Sequence, residues 1–369
     1  MPSRRINQIQ VYRGIAITSV LTFHLFDRWR MPRYSEDLYP WQFVGTSLSP
    51  FKLGYLGVNL FFIISGFVII QSLENTQNIK DFFVKRTMRI YPSLTLVILL
   101  FFAIGRFVGN INEQGTSIDP SSLIPSLTLI NPKILISIFP SLIGMGWVSG
   151  VLWSLWIEIS FYFCISLLFY TTRKNIEYKF FFLCLIFISL NFFDAFIPNF
   201  FAEHPWLDAA TELRHYCLWF YIGIIAFKRV QGQTYNRFLL MTSMVINCLI
   251  ENSRNSVDTY ILHIVVTSLI VLLTLAFEPK ILLFSHSNLL TKSAGFLGDI
   301  SYEIYLLHEF LLLLLLKYSG SAQLGYISVL LIISYICIIL ILSYILKKFV
   351  SDPLSKKLRS ARSPKTSSP

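Results

Sequence analysis

Arg13 and His24 stand eleven positions apart in the run Arg-Gly-Ile-Ala-Ile-Thr-Ser-Val-Leu-Thr-Phe-His, which is otherwise apolar. Ionisable groups are expensive in a segment with membrane-spanning character, and those that occur there usually serve a function. Eleven residues of α-helix advance roughly 16 Å in about three revolutions, so the guanidinium and the imidazole share one face at different depths. That is the geometry of a site threaded through a bilayer.

Four further constellations accompany this pair. Gly54-Tyr-Leu-Gly57-Val-Asn-Leu-Phe61-Phe62-Ile-Ile-Ser65-Gly66-Phe67 brings small residues round to the surface of a helix that must pack closely. Arg86-Thr-Met-Arg89-Ile-Tyr-Pro92 puts two guanidinium groups one helical turn apart on the same face. Topology alone would account for basic residues here, but the choice of arginine suits bidentate binding of phosphate. Trp153-Ser154-Leu-Trp156-Ile-Glu158-Ile-Ser-Phe161-Tyr162 holds a lone carboxylate inside an apolar helix, where it must be protonated or paired. Gly298-Asp299-Ile-Ser301-Tyr302-Glu303-Ile-Tyr305-Leu-Leu-His308-Glu309 carries two carboxylates four residues apart, then an imidazole next to a third. His308 can be a satisfied structural histidine or a catalytic one. His204, His215, His263 and His286 sit in loops or at expected span ends, where structural or solvated roles are the ordinary reading.

The elements that must position these residues are membrane helices. Hydrophobic residues make up 54% of the 369 and charged residues only 14%, far from the composition of a soluble domain. Apolar stretches of spanning length fall at 8–27, 55–73, 90–108, 147–170, 179–198, 213–229, 237–253, 259–277, 294–316 and 325–346. The expected fold is therefore all-α: a polytopic integral membrane protein of about ten transmembrane helices with both termini cytoplasmic. In this scheme 21 of the 31 Lys and Arg lie at the cytoplasmic face, eight lie outside, and Arg13 and Arg106 fall within spans. The net charge of +11 is thus a property of one membrane face and requires no nucleic acid partner.

The segment from Leu123 to Trp147 is apolar enough to cross, but Pro125, Pro132, Lys133 and Pro140 interrupt it. Counting it as a span would reverse every later loop, so it reads as an interfacial or re-entrant outer loop. The first segment follows Arg4-Arg5 as a signal peptide would, yet Arg13 breaks its apolar region and no small-residue cleavage site follows before Asp27. It is expected to be retained. Residues 1–346 form the expected membrane domain, and 347–369 a basic, disordered cytoplasmic tail able to adhere to anionic membrane lipid. The five cysteines all fall within expected spans and lack metal-ligand spacing, so they read as packing residues and no metal is expected. All seven tryptophans fall on the outer side of the scheme, where flat rings can stack on sugar faces or anchor the interface.

Taken together, Arg-x10-His, Gly-x-x-Gly-Val-x-x-Phe-Phe-x-x-Ser-Gly-Phe, Arg-x-x-Arg-Ile-x-Pro, Trp-Ser-Leu-x-x-Glu and Ser-Tyr-x-x-Tyr-Leu-x-His resemble the acyltransferase 3 family of integral-membrane O-acyltransferases. They occur in family order from residue 9 to about 310, so the likeness covers most of the chain. Two positions depart from the pattern: Tyr12 replaces a small or Leu residue, and Glu303 occupies a Ser-rich position. The resemblance implies transfer of an acyl group, usually acetyl, from cytosolic acyl-CoA to a hydroxyl of a glycan or lipid-linked saccharide such as lipopolysaccharide O-antigen. The implied setting is the bacterial inner membrane. The chain ends too soon for the periplasmic SGNH hydrolase-like domain that many relatives carry, so the expected type is the stand-alone one.

On this resemblance the donor site comprises Arg13, Arg86, Arg89 and Ser65, with the arginines on CoA phosphates or the pantetheine arm, and the catalytic set comprises His24, Glu158 and His308. His24 can serve as general base towards the acceptor hydroxyl or carry the acyl group itself. Acetyl-CoA is the expected donor. Two other classes fit the intramembrane charges: an ion-coupled transporter working through Arg13, Glu158, Asp299, Glu303 and His308, and a glycan flippase or polymerase. The two halves of the chain show no repeat of the kind common in transporters.

Overall fold

The structure is a computed structural model that describes residues 2–28, 51–108, 119–254, 289–319 and 326–354. Every regular element among them is helical. The chain begins with α1 (Pro2–Phe26), α2 (Leu56–Glu74) and α3 (Ile79–Val108), the last with Pro92 inside it. Two short helices follow, α4 (Leu123–Thr128) and α5 (Pro132–Ile138), then α6 (Leu152–Thr171) and α7 (Ile176–Ser189). Three one- to two-turn pieces, α8 (Phe193–Phe196), α9 (Phe200–Glu203) and α10 (Pro205–Ala210), lead into α11 (Cys217–Val230) and α12 (Arg237–Arg254). The last described helices are α13 (Leu289–Asp299), α14 (Ser301–Ser319) and α15 (Tyr326–Leu346), the last running into a π-helical turn, Lys347–Ser351.

Among the described residues five helices are long and apolar enough to cross a membrane: Gln8–Phe26, Lys52–Glu74, Ile79–Val108, Leu152–Thr171 and Val329–Leu354. The difference from ten has particular sources. The expected span 259–277 lies outside the described residues, as do Trp29, Trp41, His263, His286 and the tail from residue 355. Helices α7 and α11 have 14 residues each, and the apolar part of α12 runs only from Arg237 to Ile250, all short of the ~20 that a straight crossing takes. The expected ninth span, 294–316, is two helices, because the chain breaks at Ile300 between Asp299 and Ser301. A hydropathy window adds up apolar residues and does not register a one-residue interruption of the helix.

The interrupted segment 123–147 is no continuous crossing. Leu129 adopts a left-handed conformation (φ +55°) that ends α4, and Asn131 caps α5 by accepting a hydrogen bond from Lys133 N at 3.0 Å. The two stretches Pro120–Thr128 and Pro132–Ile138 are bent by 116° to each other.

Glycine lets the central helices touch backbone to backbone. A Cβ on Gly66 of α2 would lie 2.1 Å from Phe220 O of α11, and one on Gly223 of α11 would lie 2.0 Å from Ile63 O of α2. The same reciprocity joins α1 to α13, where a Cβ on Gly14 would meet Ala294 O at 2.0 Å and one on Gly298 would meet Gln10 O at 1.7 Å. Gly57 brings α2 close to α1 as well, where a Cβ would lie 2.5 Å from Ala16 O. This is the small-residue packing expected between helices that gain little from burial against each other in lipid. Around these contacts lies a core of fully buried side chains that includes Ile17, Ile63, Phe101, Phe161, Trp219 and Ile304. Phe161 stacks on Phe220 with centroids 4.1 Å apart, and Phe101 on Phe310 at 3.9 Å. Helix α15 turns Val329, Leu330, Ile333, Ile338 and Ile341 outward, an apolar face suited to lipid.

Candidate functional site

Two polar layers lie inside this bundle. The first is built on α1, α2, α3, α6 and the start of α14. Glu158, in the second turn of α6, accepts a hydrogen bond from Ser65 Oγ of α2 at 2.7 Å and a very short one from Tyr162 OH, one turn further along α6. Ser65 and Tyr162 are buried. Arg86 lies over the Tyr162 ring, with Cζ 6.0 Å from its centroid, and over Phe82 at 5.6 Å. Its Nε is buried without a hydrogen-bond partner among the described residues. Arg89, one turn on, is exposed. Arg13 of α1 lies within electrostatic range of Arg89, Glu158, Glu303 and Asp299. Tyr302 of α14 interacts with Arg89, Glu158 and Tyr162, and donates its hydroxyl to Ile90 O of α3 at 2.8 Å.

The second layer is built on the end of α1, the middle of α14, α15 and the start of α6. The rings of His24 and His308 meet edge to face with centroids 4.7 Å apart. His308 is fully buried. Its Nδ1 lies 2.8 Å from Tyr305 O, an acceptor only, so Nδ1 carries the proton and Nε2 holds the lone pair. Nε2 has no hydrogen-bond partner among the described residues. Tyr335 OH of α15 donates to His308 O at 2.8 Å and fixes the helix at that turn. Next to it, Glu309 accepts from Val151 N at 3.0 Å and Ser149 Oγ at 3.2 Å, tying α14 to the N-terminus of α6. A carboxylate is well placed there, where backbone N–H groups lack helical partners.

Tyr305 joins the layers. Its hydroxyl is 2.7 Å from Ser154 Oγ and 3.3 Å from Val151 O, its ring centroid is 5.4 Å from that of His308, and it lies within electrostatic range of both Glu158 and Glu309. Of the residues singled out in the sequence, Arg13, Arg86, Arg89, Ser65 and Glu158 thus gather in the first layer, and His24 and His308 in the second. Glu158 lies on the arginine side, bonded to Ser65 and Tyr162, instead of bonding to either imidazole. Tyr162 and Tyr335 went unremarked as site residues in the sequence. The i, i+4 spacing of Glu158 and Tyr162 was a usable signal, whereas Tyr335, far along the chain, left none.

Arg214 was also unremarked. This buried guanidinium donates to Asn191 Oδ1 (2.8 Å), Thr211 Oγ1 (2.7 Å), Asp208 O (3.0 Å) and Asp208 Oδ1 (2.6 Å), and lies 4.2 Å from the centroid of the Phe201 ring. Lys133 of α5 bonds the other oxygen of Asp208 at 2.9 Å. Partial burial raises the Asp208 pKa, but the hydrogen bonds from Arg214 and Lys133 outweigh it and hold the carboxyl below its ordinary value. Trp156 Nε1 donates to Ala209 O at 3.0 Å, so this cluster is fastened to α6. Among the described tryptophans, Trp219 belongs to the core, Trp206 is exposed, and Trp153 lies beside Tyr216 with centroids 5.5 Å apart. The described residues include no disulfide and no group of three metal-ligand side chains; Cys184 and Cys217 are buried, and Cys337 is exposed.

Comparison with known proteins points to one chemistry. The acyltransferase domain that defines the acyltransferase 3 family matches residues 6–348. Nodulation protein 10 of Rhizobium leguminosarum bv. viciae is 30% identical over 127 residues, 32% of this chain and 34% of the relative. The candidate acetyltransferase ORF330 of Acidianus two-tailed virus is 35% identical over 85 residues, 23% of this chain and 21% of the relative. The matched stretches therefore span about a third and a fifth of these relatives. No solved structure matches the chain.

Proposed function

The chain belongs to the acyltransferase 3 family, and from that premise we propose that it is an O-acyltransferase, with acetyl the simplest group, acting between cytosolic acyl-CoA and a hydroxyl of a cell-surface glycan or lipid-linked saccharide. The setting in this reading is the bacterial inner membrane, with both termini in the cytoplasm. Supporting it is the sorting of the polar residues into an arginine layer and an imidazole layer along one helix, α1, with His24 and His308 in ring contact at 4.7 Å.

In this reading Arg86 and Arg89 hold CoA phosphates by charge-assisted hydrogen bonds, and Arg13 guides the donor inward. Glu158, bonded to Ser65 and Tyr162, keeps the three arginines from repelling one another in a low-dielectric setting. A neutral imidazole, His24 with His308 at its edge, takes the proton of the acceptor hydroxyl. The oxygen attacks the thioester carbonyl, a C–O bond forms, and the C–S bond breaks. The proton held on imidazole then passes to the departing CoA thiolate, which restores the base. If His24 carries the acyl group itself, the same proton balance is divided between two transfers.

His24→Ala tests the proposal. With membrane levels matched to wild type, glycan acylation should fall about 10²- to 10⁴-fold, the usual contribution of a positioned base, while CoA binding is retained. Substantial acylation by the variant would move the chemistry to His308 or Glu158. A wild-type protein that turns over no acyl-CoA at all would favour the transporter or flippase classes instead.

A further inference from the structure

Glu303 departs from the family pattern, and the structure gives it an unusual environment. It is buried in the first turn of α14, on the side of the arginine layer: Arg13 and Tyr302 both feel its charge. Among the described residues it makes no direct ion pair, and Arg13 is the arginine it acts on, at longer range. Its Oε1 accepts a hydrogen bond from Ser351 Oγ at 2.6 Å. Ser351 Oγ lies 2.5 Å from Ser93 Oγ of α3, which is itself fully buried four residues after Arg89. Ser351 closes the π-helical turn Lys347–Ser351, a rare geometry that tends to occur at functional sites. At the start of that turn Lys347 Nζ donates to Asp299 O at 2.6 Å and lies 3.7 Å from Asp299 Oδ1. The turn thereby pairs Lys347 with Asp299, the last residue of α13, and holds Glu303 through Ser351 on the side of the arginine layer.

We infer that Glu303 is a built-in counter-ion for Arg13, held in register by Ser351 and Ser93, and that an anionic acyl donor binds in competition with it. This rests on the reading of Arg13, Arg86 and Arg89 as the site of the CoA phosphates. A resident carboxylate weakens the grip on both CoA-bearing donor and CoA product. Its consequence is release of product after transfer, at the expense of some donor affinity.

The test is equilibrium binding of free CoA to the purified full-length protein in lipid nanodiscs, a readout independent of turnover. Glu303→Gln keeps the shape and the carbonyl acceptor for Ser351 while removing the charge. It should bind CoA about tenfold more tightly, as expected for removing a like charge near a desolvated anion, and CoA should become a correspondingly stronger product inhibitor. Ser351→Ala keeps the charge but frees the carboxylate, and should tighten binding in the same direction by about threefold; it carries the test if Glu303→Gln fails to insert. Wild-type CoA affinity in a folded Glu303→Gln protein overturns the inference and leaves the donor site standing. A wild-type protein that binds no CoA overturns the donor site and this inference together.

Discussion

Two arginines, both set in helical structure near the bundle, show what separates a fastening from a candidate site. Arg214 is buried and its donors are occupied: Nε, Nη1 and Nη2 each have an acceptor at 3.0 Å or less, and the Phe201 ring covers the guanidinium face. Arg86 has an aromatic cradle too, Phe82 and Tyr162, but its Nε is buried with no hydrogen-bond partner among the described residues. A buried guanidinium that is satisfied on every side has nothing left to offer a ligand, and its role is to hold Asp208, Thr211 and Asn191 together. One with an unspent donor pays a desolvation cost that a phosphate can offset. His308 repeats the contrast at the other layer, where Nδ1 bonds Tyr305 O and Nε2 has no hydrogen-bond partner among the described residues.

The comparison breaks most readily at Arg214. Arg214→Ala removes the cation from a largely buried network and should lower thermal stability by on the order of 3 kcal/mol, while CoA affinity in the surviving folded protein stays at the wild-type value. Loss of CoA binding in step with a preserved melting temperature would make Arg214 a ligand residue and erase the distinction. The complementary substitution, Arg86→Ala, should weaken CoA binding roughly ten- to a hundred-fold, equivalent to one lost charge-assisted bond of about 1.5–3 kcal/mol, with little change in stability. Unchanged donor dependence would confine Arg86 to topology.

Acid should separate the two regions next. Asp208 has a depressed carboxyl pKa in the folded protein, so the stability it contributes is complete above its unfolded value of 3.8 and is lost as pH falls through the lower folded value. Hydrogen-exchange protection in α5 and α10, taken relative to the intrinsic rate at each pH, should therefore fall below about pH 4 in wild type, and should be less pH-dependent over that range in Asp208→Asn, which has already lost the carboxylate. The smallest effect is expected at Lys133, whose side chain is 54% exposed. Lys133→Ala should cost under about 1 kcal/mol. A cost near that of Arg214→Ala would mean that the α5 contact, and not the buried guanidinium, organises the cluster.

Much of the site was legible in the residues themselves. Arg13, His24 and Glu158 announce themselves because an ionisable group in an apolar run is costly enough to need a reason, Arg86 and Arg89 by being two arginines one turn apart, and fixed helical spacing places the members of each motif on a face. The glycines of α2 signalled a close helix contact by type alone, and Gly66 against Phe220 O is such a contact. The break at Ile300 and the 116° bend near Leu129 were differently served: proline flagged the second plainly, while Gly298-Asp299 before the first is a weaker signal inside an apolar stretch.

What the chain by itself determined was the class of fold and the residues of the candidate site: apolar helices, their small-residue seams, and the motifs that tie them to the acyltransferase 3 family. Tertiary structure decided who stands beside whom. That Ser65 bonds Glu158 across 93 positions, that His24 meets His308, and that Ser351 reaches back to Glu303 are contacts between separate helices. Helical periodicity orients a side chain on its own axis only, and the partner it finds depends on how closely the backbones approach and at what register. Those quantities are set where Gly14, Gly66, Gly223 and Gly298 let the helices touch.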